Sequence, residues 1–183
     1  CVQPGDAVLV SGDLGRHGLA VLIARDELKI RSQLESDLAP LNGIVQELIA
    51  ADIELHCLRD LTRGGLASAV DEIARSSGCA MELEENNIPY DATVQRACDL
   101  LGLEPLSMAN EGRMLVICPE QDAECALKVL QKLNPLATRV GVVQERDSTT
   151  TRWRHGNPVA LRNSLGVLRP LDLQQGEQLP RIC

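Results

Sequence analysis

Residues 7–18, AVLVSGDLGRHG, decide how this chain folds. The four apolar residues from Ala7 to Val10 lie between glycine-bearing turns and predict a short buried strand. Beyond the turn, apolar side chains recur at helical spacing and predict a helix over residues 17–28. A strand, a glycine-rich turn and a helix in succession favour a layered domain of the α+β or α/β class.

The same periodicities continue along the chain. Helices are predicted over residues 40–49, 64–76, 91–101 and 119–133, and strands over residues 54–58, 80–83, 114–118, 139–143, 151–153 and 159–161. From residue 171 the sequence becomes polar, which predicts a domain over residues 1–170 and a mobile tail over residues 171–183. Because the chain starts with Cys1 and enters a strand almost at once, we expect an upstream domain that this chain lacks.

The composition narrows the class of function. The 183 residues include 18 basic and 26 acidic ones, a net charge of −8, which disfavours a nucleic-acid surface. Two aromatic residues, Tyr90 and Trp153, are too few to form a platform on which bases stack. The longest apolar stretches, such as Leu19 to Ala24, are too short to cross a bilayer. Seven cysteines without a metal or redox spacing indicate a cytoplasmic protein whose thiols are mostly buried.

The first candidate site is the turn over residues 11–18. Its glycines, Gly15 among them, could bring backbone N–H groups close to an anion at the start of the next helix. The spacing matches neither a Walker loop nor the dinucleotide-binding pattern. The alternative is a tight structural turn with Asp13 and His17 on the surface.

The second candidate is the segment RDLTRGG, residues 59–65, between a predicted strand and a predicted helix. Arg59 and Arg63 could each bind a phosphate or a carboxylate through a planar guanidinium, and Gly64 and Gly65 permit a close approach of the backbone. Thr62 is a candidate N-cap of the helix. In the alternative interpretation, the neighbouring Asp60 pairs with an arginine and the glycines only ease packing.

Two further residues could carry chemistry. Glu111, in the segment MANEGR over residues 108–113, lies just before a predicted buried strand, where a carboxylate can act as a base. A solvated loop glutamate is the alternative. Cys183 ends the polar tail, where a thiol adds little to a core; a tail of about ten extended residues can reach roughly 30 Å, enough to move between two sites.

Five segments together resemble one family. They are SGDLGRHG, SDLAPLN, LRDLTRGGLA, ANEGR and the terminal GEQLPRIC, in this order and at these separations. The chain resembles, from about Pro4 to Cys183, the C-terminal half of the HypE carbamoyl dehydratases of [NiFe]-hydrogenase maturation. That family belongs to the AIR synthetase-related (PurM-like) superfamily. The glycine motifs are typical of the whole superfamily, whereas the terminal PRIC is far more specific.

This resemblance implies a fold and an activity. The implied fold is three-layered α/β/α with a mixed, partly ferredoxin-like sheet. Cys183 would receive a carbamoyl group from the carbamoyltransferase HypF, and the enzyme would use ATP to dehydrate the thiocarboxamide to a thiocyanate. The cyanide would then pass to iron on the HypC–HypD scaffold. Because this dehydration needs a base for the amide protons, we hypothesise that Glu111 is that base, or part of a relay.

We infer further roles from the chemistry that the resemblance implies. Arg59, Arg63 and the amides of Gly64 and Gly65 would stabilise phosphate charge, and His17 would orient the tail or a phosphate. An N-terminal domain, absent here, would supply most contacts to ATP and Mg²⁺ and much of a homodimer interface, while Asp13 is a weaker candidate for holding Mg²⁺. Two alternatives remain open: another ATP-dependent kinase or synthetase of the superfamily, and a non-catalytic docking module whose tail binds partner proteins.

Overall fold

The computed structural model describes residues 1–25, 34–146, 157–171 and 173. In chain order its elements are β1 (Ala7–Val10), α1 (Arg16–Ala24), α2 (Asn42–Ala50), β2 (Cys57–Asp60), α3 (Gly65–Ser77), β3 (Ala80–Glu84), α4 (Ala92–Leu101), β4 (Met114–Cys118), α5 (Glu120–Leu133), β5 (Thr138–Gln144), β6 (Val159–Arg162) and β7 (Leu168–Pro170). Two short 3-10 helices, Glu85–Asn87 and Pro105–Ser107, flank α4.

The described strands form one mixed sheet in the order β2-β4-β1-β5-β3-β6-β7. Neighbours are antiparallel except for β3 and β6, which run parallel. Helices and strands mix along the chain without a regular βαβ repeat, so the α+β class with a mixed sheet is confirmed.

Strands β1 and β4 are buried on both faces, which explains why they read as unbroken apolar runs. Along β1, Val8 and Val10 pack into a core shared with α3, whereas Ala7 and Leu9 point to the opposite face. That opposite face is covered by apolar side chains of α2 and α5. The result is the expected three-layer arrangement of helix, sheet and helix.

A smaller apolar cluster lies where α1 packs against α4. Leu19 and Leu22 of α1 contact Val94 and Cys98 of α4, and Met108 closes the cluster from the loop before β4. This packing brings the start of α1, and with it the glycine-rich turn, next to that loop.

Most predicted elements are confirmed to within a few residues, with five differences. Strand β2 spans Cys57–Asp60 instead of the predicted residues 54–58. Helix α1 ends at Ala24 instead of extending to residue 28. The short strand β7 was not predicted. The N-cap of α3 is Gly64, and Thr62 donates its hydroxyl to Asp60 Oδ2 at 3.0 Å, so the predicted cap at Thr62 is wrong. Strand β5 spans Thr138–Gln144 and is one residue longer at each end than the predicted strand over residues 139–143.

Two predictions lie outside the described residues: the strand over residues 151–153 and most of the tail, including Cys183. The predicted burial of thiols holds for three of the six described cysteines; Cys79, Cys98 and Cys118 are buried, while Cys1 and Cys125 are exposed. Within the described ranges, every helix is too short or too polar to span a bilayer.

Candidate functional site

Three loops meet at one end of the sheet because of the way their strands pair. Val10, the last residue of β1, lies opposite Leu115, and Asp60, the last residue of β2, lies opposite Met114. The carboxyl ends of β1 and β2 therefore flank the amino end of β4. The turn after β1, the loop after β2 and the loop before β4 carry most of the described residues to which the sequence assigns a site role, while His17 lies in the first turn of α1 and Arg59 in β2.

Asn110 joins these three loops, and its side chain is fully buried. Its Oδ1 accepts the backbone N–H of Gly15 at 2.7 Å, and its Nδ2 donates to the carbonyl oxygens of Leu61 at 3.0 Å and Met108 at 3.1 Å. One amide side chain thus pairs with one donor and two acceptors, of which the carbonyl oxygen of Leu61 also accepts the backbone N–H of Asn110 at 3.0 Å. Gly15 takes the left-handed conformation, with φ of 86°, that aims its N–H at this oxygen.

An ion-pair cluster around Asp13, whose side chain is buried, is a second set of contacts that connects these loops. Asp13 Oδ1 accepts Arg113 Nη2 at 2.7 Å, and Oδ2 contacts Arg16 Nε. Arg16 also binds Asp91 at 2.9 Å, and Asp91 caps α4 by accepting the N–H of Thr93 at 2.7 Å. The backbone N–H of Thr93 and the nearby Arg16 guanidinium lower the pKa of Asp91. The cluster thus fastens the turn after β1 to α4 and to the loop before β4.

Glu111 and His17 both lie at this end of the sheet. Glu111 is half-buried, and its backbone N–H points to Asp37 Oδ1 at 3.4 Å. His17 is half-buried on α1, with Nδ1 2.9 Å from Ser36 Oγ. Both residues therefore contact the same short segment before α2, although they are 94 positions apart in the sequence.

The loop after β2 holds the other candidates. Arg59 is exposed at the edge strand and pairs with Glu72 of α3 at 3.0 Å, and Arg63 is exposed just before α3. Gly64 and Gly65 both have positive φ, 77° and 58°, and a Cβ on Gly65 would overlap the carbonyl oxygens before β4. These contacts give the glycines a packing role, and binding of a phosphate by this loop stays a prediction.

An open polar cavity of about 400 Å³ adjoins the ion-pair cluster. It is lined mainly by polar side chains: Asp13, Arg16, Glu35, Ser36, Asp37, Arg113 and Asn134. Helices α1 and α3, whose N-caps Gly15 and Gly64 are glycines, begin without a side-chain cap as far as the described residues show. Of their first N–H groups, Gly18 already donates to the carbonyl oxygen of Ala109 and Gly65 to that of Thr62, both at 3.0 Å. The other N–H groups of these first turns and the partial positive charge of the helix ends suit an anion.

The described residues offer little to a resident metal ion. Nowhere in the ranges described do three or more His, Cys, Asp or Glu side chains come together as a possible metal site. Asp13, the weaker Mg²⁺ candidate, directs its two oxygens at Arg113 and Arg16, and that ion pairing opposes metal ligation. This part of the chain therefore does not fit a magnesium site of its own.

Sequence reasoning missed the residues that hold the site together. Asn110 and Arg113 were quoted within ANEGR, but only Glu111 received a role. Asp37 was quoted within SDLAPLN without a role. The signal available was their position as polar residues within these motifs, and sequence does not reveal which distant loop each of them contacts.

Comparison with known proteins agrees with this arrangement. Residues 3–154 match the family model described as AIR synthase related protein, C-terminal domain. The chain belongs to this AIR synthase-related family. The matched range contains all three loops of the site, whereas the terminal residues lie beyond it.

Curated relatives extend the likeness to the whole chain. A carbamoyl dehydratase HypE of Rhodobacter capsulatus is 42% identical over 182 residues, which is 100% of this chain and 52% of that protein. A carbamoyl dehydratase HypE of Cupriavidus necator is 42% identical over 183 residues, covering 99% of this chain and 50% of that protein. The resemblance to HypE is confirmed, and the chain spans about half the length of the curated relatives it matches.

Solved structures share the fold. A hydrogenase maturation protein HypE in complex with ATP superposes with a TM-score of 0.89 at 41% identity, over 100% of this chain and 54% of that chain. A HypE–HypF complex gives 0.83 at 34% identity, over 93% of this chain and 53% of that chain. PurL of T. maritima, complexed with FGAR, gives 0.61 at 18% identity, over 93% of this chain and 28% of that chain, and shows the shared PurM-like fold alone.

Proposed function

We propose that this AIR synthase-related chain is the C-terminal half of an ATP-dependent carbamoyl dehydratase of [NiFe]-hydrogenase maturation. The observation that carries the proposal is the likeness to HypE over the whole length of the chain, 42% identity across 182 residues, together with the terminal sequence PRIC. In this proposal residues 1–170 form the domain described above and residues 171–183 form the tail that carries Cys183.

The chemistry explains the need for ATP. A carbamoyl group on the Cys183 sulfur is a thiocarboxamide, whose oxygen is a poor leaving group. Transfer of the ATP γ-phosphoryl group to that oxygen, with loss of one amide proton, gives an imidate phosphate and ADP. Removal of the second proton from nitrogen, with cleavage of the carbon–oxygen bond, releases phosphate and leaves the thiocyanate.

Glu111 is the proposed acceptor of the amide protons. It is half-buried at the end of the sheet where three loops meet, so a substrate can reach its carboxylate. The exposed Arg63, the N-terminal amides of α3 and Arg59 would stabilise the charge of the transferring phosphoryl group. Arg59 would first have to leave Glu72, a surface pair of the kind that contributes at most about 1 kcal/mol. His17 and Gly15 would orient the tail or a phosphate from the turn after β1.

The other half of the protein would complete the site. Since the described residues do not fit a magnesium site and the chain spans about half the length of its curated relatives, we assign Mg²⁺ and most of the nucleotide contacts to a proposed upstream domain. The HypE–HypF and HypE–ATP complexes support HypF as the partner that loads Cys183 and ATP as the substrate that activates it. The proposal further includes a homodimer, delivery of cyanide to the HypC–HypD scaffold and a cytoplasmic location.

Mass spectrometry of the C-terminal peptide tests the proposal. The full-length polypeptide is incubated with the carbamoyltransferase, carbamoyl phosphate and ATP, with and without Glu111→Gln. We expect the Cys183 peptide to gain one carbamoyl group and then lose one water. Glu111→Gln should accumulate the carbamoylated form, and unchanged dehydration would remove Glu111 from the role of base.

Two cysteine variants separate the alternatives. Cys183→Ser should abolish both mass changes, whereas Cys125→Ser, which alters an exposed thiol of α5, should leave both unchanged. ATP turnover without any modification of Cys183 would favour another kinase or synthetase of the superfamily. Binding of partner proteins without modification or ATP turnover would favour a docking module.

A further inference from the structure

The segment Ser36-Asp37-Leu38-Ala39, here called the strap, lies across both half-buried candidates of the site. Ser36 Oγ is 2.9 Å from His17 Nδ1 at one end of the strap. At the other end, the N–H of Ala39 donates to the carbonyl oxygen of Glu111 at 3.4 Å. The strap belongs to SDLAPLN, a segment to which the proposed function assigns no role.

Asp37 makes the central contacts of the strap with its side chain. Its Oδ1 accepts the N–H of Glu111 at 3.4 Å, and its Oδ2 accepts the N–H of Gly112 at 3.1 Å. Asp37 is only 7% exposed, whereas the next residue, Leu38, is 74% exposed. A carboxylate turned inward from an exposed segment needs such donors, because its desolvation would otherwise be costly.

Gly112 allows the strap to approach this closely. A Cβ at this position would overlap the carbonyl oxygen of Asp37 and lie 2.9 Å from the backbone nitrogen of Ala39. The carbonyl oxygen of Gly112 also accepts Arg113 Nη1 at 3.0 Å. The peptide groups on both sides of Gly112 are therefore held, one by Asp37 and the other by the Arg113 guanidinium.

We propose that Asp37 is a positioning residue that fixes the backbone at Glu111 and Gly112 and so sets the direction of the Glu111 carboxylate toward the substrate. The inference rests on the proposed function and deepens it, since it says what orients the base. Both N–H groups that Asp37 accepts flank the Cα of the residue that does the chemistry, and the strap binds its carbonyl oxygen as well. A base displaced by about 1 Å can lose roughly a hundredfold in rate, so this restraint has a measurable consequence.

The test compares Asp37→Asn and Asp37→Ala in the full-length polypeptide with its carbamoyltransferase and ATP. Asn keeps one acceptor oxygen and Ala keeps none, so we expect kcat for dehydration of carbamoylated Cys183 to fall by roughly tenfold in the first and a hundredfold in the second. The KM for ATP and the rate of carbamoylation should stay within about twofold of the values for the unaltered protein, because neither ATP binding nor carbamoylation uses Glu111. Glu47→Gln, which removes one exposed carboxylate from α2, is the matched control and should change nothing.

Hydrogen exchange of the backbone amides gives a readout independent of chemistry. The N–H groups of Glu111 and Gly112 should exchange faster in Asp37→Asn than in the unaltered protein, and no faster in Glu47→Gln. Unchanged exchange, unchanged dehydration, or a rise in the KM for ATP that accounts for the whole loss would each overturn the proposal. If Asp37→Ala does not fold, the exchange rates and the dehydration rate of Asp37→Asn decide the proposal.

The failure of the proposed function is distinguishable from the failure of this inference. If the unaltered protein never dehydrates carbamoylated Cys183, the proposed reaction is wrong, and the catalytic consequence assigned to Asp37 falls with it. Whether Asp37 holds the backbone at Glu111 is still decided by the exchange rates.

Discussion

Asn110 is the residue on which the geometry of the three loops depends most directly. Asn110→Ala would leave the buried N–H of Gly15 and the carbonyl oxygens of Leu61 and Met108 without their side-chain partner. A buried polar group left unpaired costs about 1–3 kcal/mol, so we expect the free energy of unfolding to fall by about that amount. Urea denaturation measures it, and the exposed Asn86→Ala should change stability by less than about 0.5 kcal/mol. Equal losses in the two variants would contradict the role of Asn110.

His56 makes the stability of the fold depend on pH. Its Nδ1 lies 2.7 Å from Asp6 Oδ2 just before β1, and its Nε2 lies 3.2 Å from Glu54. The hydrogen bond to Asp6 raises the pKa of His56 above its ordinary value of 6.5. Since the folded state holds the proton more tightly than the unfolded state, this stabilisation is complete below the ordinary pKa and is lost as the pH rises through the folded-state pKa.

The free energy of unfolding should therefore fall as the pH rises above the ordinary histidine pKa of 6.5 and through the higher folded-state pKa, measured by urea denaturation at several pH values. His56→Gln should remove this fall, because glutamine does not titrate, and Asp6→Asn should reduce it by removing the charged partner. The same pH dependence in His56→Gln would show that another group is responsible.

At the scale of elements, the start of α3 packs directly on the 3-10 helix Pro105–Ser107 and on the loop before β4. A Cβ on Gly65 would overlap the carbonyl oxygens of Leu106 and Met108, whereas a Cβ on Gly78, at the other end of α3, meets nothing within 4 Å. Both glycines have positive φ, 58° and 72°. A Cβ at Gly78 would therefore introduce backbone strain alone, whereas a Cβ at Gly65 would introduce both strain and a steric clash.

Gly78→Ala should lower the free energy of unfolding by about 1–2 kcal/mol, the cost of a left-handed alanine. Gly65→Ala should lower it by about 1–3 kcal/mol more, because α3 must also move away from the 3-10 helix. Urea denaturation gives both values, and hydrogen exchange over residues 105–110 should rise only in Gly65→Ala. Equal losses and equal exchange would mean that strain alone explains Gly65.

The helices and central strands could be predicted because each carries a signal in its own residues. Strand β4, Met114–Cys118, is an unbroken apolar run, and α5 shows helical spacing with acidic residues in its first turn. Strand β7 has three residues, Leu168–Pro170, and ends the sheet as a half-exposed edge, so it lacks such a pattern. Thr62 was predicted to be an N-cap, but Gly64, in the left-handed conformation, is the N-cap of α3. The position of this helix start depends on how α3 packs against the loop before β4.

At the scale of the whole molecule, the site loops come together because of the order of the strands in the sheet, and sequence could not predict that order. Glu111, His17 and the loop after β2 were each recognised by local motifs. Their convergence follows from β4 lying between β1 and β2, an order set by pairings between residues about 50 to 110 positions apart. Asn110, Asp13 and Asp37 act across these distances, and their partners are visible only once the sheet has formed.

The last prediction concerns the proposed division of the active site between this chain and an upstream domain. The chain covers 52% of its R. capsulatus relative, and its described part does not fit a magnesium site. The uncapped starts of α1 and α3 and the exposed arginines offer a few contacts to phosphate groups, too few to hold ATP firmly. We therefore expect the chain of 183 residues to bind ATP weakly and to turn over little, and the full-length polypeptide to bind it much more tightly.

Isothermal titration of ATP into each protein, in the presence of Mg²⁺, measures this difference. A cooperative thermal transition recorded first establishes that the shorter chain is folded in the assay. Micromolar binding by the shorter chain would contradict the division, because a dissociation constant of about 1 μM corresponds to roughly 8 kcal/mol of contacts that the described residues do not supply. Arg63→Ala in the full-length polypeptide should weaken the affinity for ATP only modestly, since on this division the upstream domain supplies most of the contacts.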